Sequence, residues 1–193
     1  MIIIHTVYCV LGRTGSGKST VTKEAAKQLD MNILRSYSTR QYLRQSETKE
    51  NSDHILISPD EVEKYHNDMI AYADRVGYCN FATKQQLLDN DFYIINPTGY
   101  YELKLKTKDM DIELVTIMVN VPYNDLRQRA KKRGDYDAWQ ANYIKESEEF
   151  SNFEKSHLVD YFILNDRSIE ESVAKMVRII NKDRAKRGIT DEK

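Results

Sequence analysis

The stretch Gly12-Arg13-Thr14-Gly15-Ser16-Gly17-Lys18-Ser19, GRTGSGKS, decides how this chain is read. Glycine, four residues, then Gly-Lys-Ser is the spacing of a loop whose backbone N–H groups wrap around the phosphates of a nucleotide. Glycines serve there because the backbone approaches an anion closely and takes unusual φ values. In that chemistry Gly12, Arg13, Thr14, Gly15, Ser16, Gly17, Lys18, Ser19 and Thr20 surround the phosphates of ATP. Lys18 reaches the terminal phosphates and the Ser19 hydroxyl holds Mg²⁺. At ordinary residue frequencies a chance match in a chain of this size is on the order of 1%. The flanks agree with the loop. Before it runs the apolar, β-branched Thr6-Val7-Tyr8-Cys9-Val10-Leu11, and after it Val21, Ala25, Ala26 and Leu29 recur at helical spacing. A strand, a loop and a helix whose N-terminus faces the anion follow from this order.

With 193 residues the chain fits one domain with small inserted lobes. Its net charge of −1 sets up no global field for nucleic acid or an anionic membrane, so polyanion binding, if present, is local. Cys9 and Cys79 stand in no metal-like or disulfide-framework spacing, which suits free thiols in a reducing cytoplasm. The apolar start MIIIHTVYCVLG runs straight into the loop and reads as a core strand, not a secretion signal. No apolar run reaches the roughly 20 residues of a membrane span.

Further along, Ile33-Leu34 makes a short second strand and leads into Ser36-Tyr37-Ser38-Thr39-Arg40-Gln41-Tyr42-Leu43-Arg44. Ser36, Arg40 and Arg44, four apart, can grip a second anion, since arginine forks hold phosphate oxygens in pairs; a solvated polar loop is the other reading. Ser58-Pro59-Asp60-Glu61 and Thr83-Lys84-Gln85-Gln86 are capping boxes that start helices. Met69 to Tyr72 and Tyr78 to Phe81 are strands around Gly77, so residues 36–90 form a small mixed lobe. Phe92 to Ile95, Leu114 to Val119 and Val159 to Leu164 are core strands, apolar at consecutive positions as parallel strands are. Asn124 caps a helix ending at Gly134 that carries Arg129 and Arg133 on one face. Either an anion lies between these two or Asp125 pairs with Arg129. A polar helix with Trp139 follows over Asp135 to Phe150, Ser168 caps a last helix, and the tail from Asn181 reads as a frayed charged end. The alternation predicts an α/β fold: a parallel sheet with helices on both faces, an inserted acceptor-binding lobe and a helical lid. Its core is 1–35, 91–132 and 155–184, its lobe 36–90 and its lid 133–154.

Several elements together resemble the guanylate kinases among the P-loop nucleoside monophosphate kinases. Besides GRTGSGKS, RSYSTRQYLRQSE is similar to that family's acceptor-phosphate signature, VPYNDLRQRAKKRGD to its lid stretch and VDYFILND to its closing strand. The resemblance covers Val7 to about Ile180. It implies that Ser36, Arg40 and Arg44 hold the acceptor phosphate, Arg44 after a one-residue insertion, and that Lys18, Arg40, Arg129 and Arg133 are catalytic. His54, Phe81, Thr83 and Asn96 stand at further acceptor positions. Where the family reads guanine with a glutamate this chain has Ala71, which relaxes or changes base choice; Asp74 is the nearest substitute. The implied reaction is transfer of the γ-phosphoryl of ATP, with Mg²⁺, to a nucleoside monophosphate, GMP foremost, in the cytoplasm and without nucleic acid or membrane as partner. Self-association is left open. Two alternatives stand beside it: a kinase of the same fold acting on another nucleotide or a phosphosugar, and a non-catalytic guanylate-kinase-like module that binds protein.

Overall fold

The computed structural model describes residues 5–43, 47–75 and 77–188. Along the chain run β1 (His5–Leu11), α1 (Lys18–Leu29), β2 (Ile33–Leu34), β3 (Ser36–Ser38), β4 (His54–Leu56), a 3₁₀ segment (Pro59–Tyr65), β5 (Met69–Arg75), β6 (Tyr78–Thr83) and α2 (Lys84–Leu88). They are followed by β7 (Phe92–Ile94), α3 (Pro97–Lys106), β8 (Ile112–Asn120), α4 (Tyr123–Arg133), α5 (Tyr136–Lys155), β9 (Tyr161–Leu164) and α6 (Ile169–Lys186).

The central sheet is parallel throughout, in the order β2-β7-β1-β8-β9. Side chains alternate along a strand, so β1 feeds two cores. Tyr8 and Val10 pack with Val21, Ala25, Val173, Met176 and Ile180 of α1 and α6. Val7, Cys9 and Leu11 pack with Tyr100 and Leu103 of α3 and with Phe150 and Phe153 of α5. Burial on both faces is why the strand shows a continuous apolar run and no polar/apolar alternation. It also pushes the Cys9 thiol pKa up, since a thiolate would lose its hydration there.

The second sheet, β4-β3-β6-β5, holds the lobe together: β3 and β4 are parallel and the other pairs antiparallel. Strands β3 and β4 were not foreseen because each is three residues long and finds its partners far away, Tyr37 opposite both Ile55 and Phe81. Tyr37, Tyr65 and Phe81 stack with centroids 4.4, 5.4 and 5.6 Å apart, and burial with the Tyr65 hydroxyl pushes the Tyr37 pKa up to about 12.

Four local expectations change. The helix begun at Ser58 is a 3₁₀ segment, with Glu61 accepting the Ser58 N–H at 2.9 Å. Helix α4 starts two residues earlier than expected, with Pro122 and not Asn124 at its N-cap. Asn96, just past the strand expected over Phe92 to Ile95, caps a ten-residue helix that was not expected, α3, by accepting the Gly99 N–H at 3.2 Å. Nor does the chain fray at Asn181. Helix α6 continues to Lys186 because Asp183 is buried, bonded to Tyr8 and Tyr161 hydroxyls at 3.1 Å and to Arg187 at 2.7 Å. Among the described residues no helix is long and apolar enough to cross a membrane.

Candidate nucleotide site

The glycine-rich loop leaves the C-terminal end of β1 and enters α1, so the free N–H groups of the first turn and the helix dipole face the loop's interior. Two glycines are dictated by their surroundings. A Cβ on Gly12 would lie 2.6 Å from the Val119 carbonyl oxygen. Gly17 caps α1 at φ 80°, and a Cβ there would lie 2.6 Å from Asn165 Nδ2. Asn165 follows β9, is buried, and clamps the loop from below. Its Nδ2 donates to the Ser16 carbonyl (2.7 Å), its Oδ1 accepts from Ser172 (2.9 Å), and its own carbonyl accepts from Arg129 Nη2 (2.6 Å). The loop's shape is therefore held by groups well over 100 residues away.

Ser19 Oγ donates to Asp53 Oδ2 at 2.7 Å, and Lys23 Nζ, one turn along α1, stands 2.7 Å from Asp53 Oδ1. Burial opposes ionisation of Asp53, but the hydrogen bonds from Lys23 and Ser19 outweigh it and hold its carboxyl below the usual range. A hydroxyl and an ionised carboxylate in contact are hard oxygen donors of the kind Mg²⁺ takes together with phosphate oxygens. Among the described residues no three His, Cys, Asp or Glu side chains gather to hold a metal unaided.

Helices α4 and α5 lie against the loop. Arg129 and Arg133 both reach it: a Cβ on Gly17 would be 3.8 Å from Arg129 Nη1, and one on Gly15 3.4 Å from Arg133 Nη1. Arg129 is bonded to Asn165, and Arg133 pairs with Asp135 at 3.0 Å. From α5 the buried Trp139 donates its indole N–H to the Thr14 carbonyl (3.0 Å), and Glu146 accepts both the Thr14 N–H (3.0 Å) and the Thr14 hydroxyl (2.7 Å). The Arg13 guanidinium lies over the rings of Tyr143 and Phe150.

In the lobe Ser36 Oγ and His54 Nδ1 share a hydrogen bond of 2.8 Å, and Ser36 also bonds Tyr93, whose hydroxyl burial pushes to a higher pKa. Arg40 is almost wholly buried, its side chain 1% exposed; Nη2 is bonded to both oxygens of Glu47 (2.9 and 2.8 Å), while Nη1 has no hydrogen-bond partner among the described residues. Arg44 lies outside the described residues. The remaining candidates are occupied by the fold. Phe81 is fully buried in the aromatic stack, the Thr83 hydroxyl caps α2, and Asn96 caps α3 while donating to Glu149 (3.0 Å). Ala71, at φ 53° in a bulge of β5, is buried where β5 meets α3. Glu102 of α3 accepts the neighbouring Tyr72 N–H at 2.9 Å, and burial raises the pKa of its carboxyl. Asp74 is exposed.

Asp53, Glu47, Glu146 and Asn165 are thus the site groups that sequence reading missed. Asn165 had a signal, a polar residue closing an apolar strand. The three carboxylates had none, because each lies in a charged stretch indistinguishable from solvated surface.

Among solved structures the chain is similar to a guanylate kinase from Anaplasma phagocytophilum, at 21% identity over 95% of this chain and 88% of that one, with a TM-score of 0.66. That likeness shows the fold, a P-loop NTPase fold of the kinase-like kind, and the resemblance to guanylate kinases holds at that level. No curated protein matches the chain. The model of one family, described as chromatin associated protein KTI12, matches residues 7–158, well over half the chain and including the loop, the lobe and both helices that lean on the loop. The chain belongs to the KTI12 family.

Proposed function

We propose that this protein transfers the γ-phosphoryl group of ATP to a phosphate-bearing acceptor, a nucleoside monophosphate in the first place. The observation that carries the reading is Arg40: a buried guanidinium with one nitrogen that has no hydrogen-bond partner among the described residues, held by the lobe that follows the nucleotide loop. Burying a cation is costly unless anions meet it, and a second phosphate supplies what Glu47 leaves unmet. Ser36 and His54, hydrogen-bonded to each other at 2.8 Å, add polar groups from the same lobe.

In this mechanism the loop N–H groups and Lys18 hold the donor phosphates, while Arg129 and Arg133 reach the transferred group from α4. Ser19 and Asp53 hold Mg²⁺, which when bound neutralises charge on the donor phosphates. An acceptor phosphate has a second pKa of about 6 and is largely ionised at neutral pH, so no general base is needed. The work is to align two anions that repel each other and to meet spreading charge with fixed cations. With Ala71 offering no carboxylate to a base, acceptor choice rests on other groups. ADP release measured against a panel of monophosphates and phosphosugars tests the reading: release with a nucleoside monophosphate, abolished by Lys18→Ala in a folded protein, is expected, and release retained in that variant overturns it. A second reading, favoured by the family match, is a nucleotide-binding protein that associates with chromatin; ATP binding with no acceptor-dependent release would select it.

A further inference from the structure

We propose that Glu146 sets how many phosphates the loop accepts: its carboxylate sits at the loop's apex where a nucleotide's terminal phosphate has to lie, so a triphosphate displaces it and a diphosphate does not. The inference rests on the nucleotide-binding reading above. Both oxygens of Glu146 are engaged, one by the Thr14 N–H at 3.0 Å and one by the Thr14 hydroxyl at 2.7 Å. A backbone N–H and a hydroxyl converging on one anion are the donors with which a phosphate oxygen is bound, and an ionised acceptor makes such bonds about twice as strong as neutral ones. Thr14 stands four residues before Lys18, at the far end of the loop from the first turn of α1. Inner phosphates seated on that helix N-terminus leave the chain's outer end beside Thr14.

The helix that brings Glu146 does not need to leave for this exchange. Trp139 is buried and bonded to the Thr14 carbonyl, and Arg13 lies 5.3 and 5.2 Å from the ring centroids of Tyr143 and Phe150. One turn beyond Glu146, Glu149 holds the start of α3 through the Thr98 N–H at 2.7 Å and Asn96 at 3.0 Å. With α5 anchored on both sides of Glu146, a change of its side-chain rotamer frees the apex. Two anions in contact are mutually repelled, so the terminal phosphate and the Glu146 carboxylate exclude each other.

The test compares Mg-ATP and Mg-ADP binding by isothermal titration in the wild-type chain and in Glu146→Gln, which keeps the shape and removes the charge. ATP is expected to bind the variant about tenfold more tightly while ADP changes by less than about twofold, the gain that follows from removing a charge-assisted competitor. Equal changes for both nucleotides, or weaker ATP binding, overturn the inference and leave the nucleotide-binding reading intact; a purely structural Glu146 would behave in that way. Absence of binding by either nucleotide to either protein overturns both. Trp139, the chain's one tryptophan, reports on wild type alone. Its emission is expected to shift with ATP and not with ADP, and an equal shift, or none with ATP, overturns the proposal even if the variant does not fold.

Discussion

Gly17 and Asn165 form a close joint of the loop, and a double-mutant cycle on them measures it. Gly17→Ala places a Cβ 2.6 Å from Asn165 Nδ2 and forces an L side chain into φ 80°. The left-handed backbone costs about 1–2 kcal/mol. Displacing the buried amide from the Ser16 carbonyl, now at 2.7 Å, costs about 1–2 kcal/mol more, for a total near 3 kcal/mol. Asn165→Ala removes the partners of the Ser16 carbonyl and of the Ser172 hydroxyl, although Ser172 keeps a 3.3 Å bond to the Ser168 carbonyl. Its cost is also about 3 kcal/mol. In the double variant the alanine at 17 no longer meets an amide, so only the backbone cost remains and the total is about 4.5 kcal/mol in place of 6. Urea denaturation of the four proteins at one pH reads the coupling of about 1.5 kcal/mol directly. Additivity within about 0.5 kcal/mol would refute the clamp, since independent sites behave in that way. ATP affinity should fall in both single variants, because each loosens the frame that aims the loop N–H groups.

Two further outcomes follow from the carboxylates. The Asp53 pKa is depressed in the folded state, so its stabilising contribution is complete above the ordinary carboxyl range and is lost as pH falls through the lower folded value. The stability difference between wild type and Asp53→Asn should therefore be constant near neutrality and shrink toward acid; a pH-independent difference would contradict the Ser19 and Lys23 contacts. Glu47→Gln leaves the Arg40 charge buried without its anion and should cost about 3 kcal/mol. Inorganic phosphate should then raise the Tm of the variant more than that of wild type; equal shifts would remove Arg40 as an anion site.

Much of the fold is legible from local pattern. The loop spacing, the apolar runs of β1, β7 and β8 and the capping residues at Thr83 and Ser168 act within a few residues, and periodicity reports which faces are buried. Strands β3 and β4 escape that reading because β3 is paired with β4 on one side and with β6 on the other, the latter across 44 positions of chain from Tyr37 to Phe81. Helix α6 outlasts its apolar pattern because a polar network at Asp183 holds its last turns.

By itself the sequence determined that a nucleotide loop lies between a buried strand and a helix, and that arginines follow on both sides of it. Only the tertiary structure decided what those groups meet: Glu47 on Arg40, Asp53 on Ser19, Glu146 on Thr14 and Asn165 under Gly17. The physical reason is range. Backbone conformation near a glycine or a cap is set by neighbours in sequence, whereas the partner of a buried charge is whichever counter-charge the folded chain brings within about 3 Å, and that distance is a property of packing.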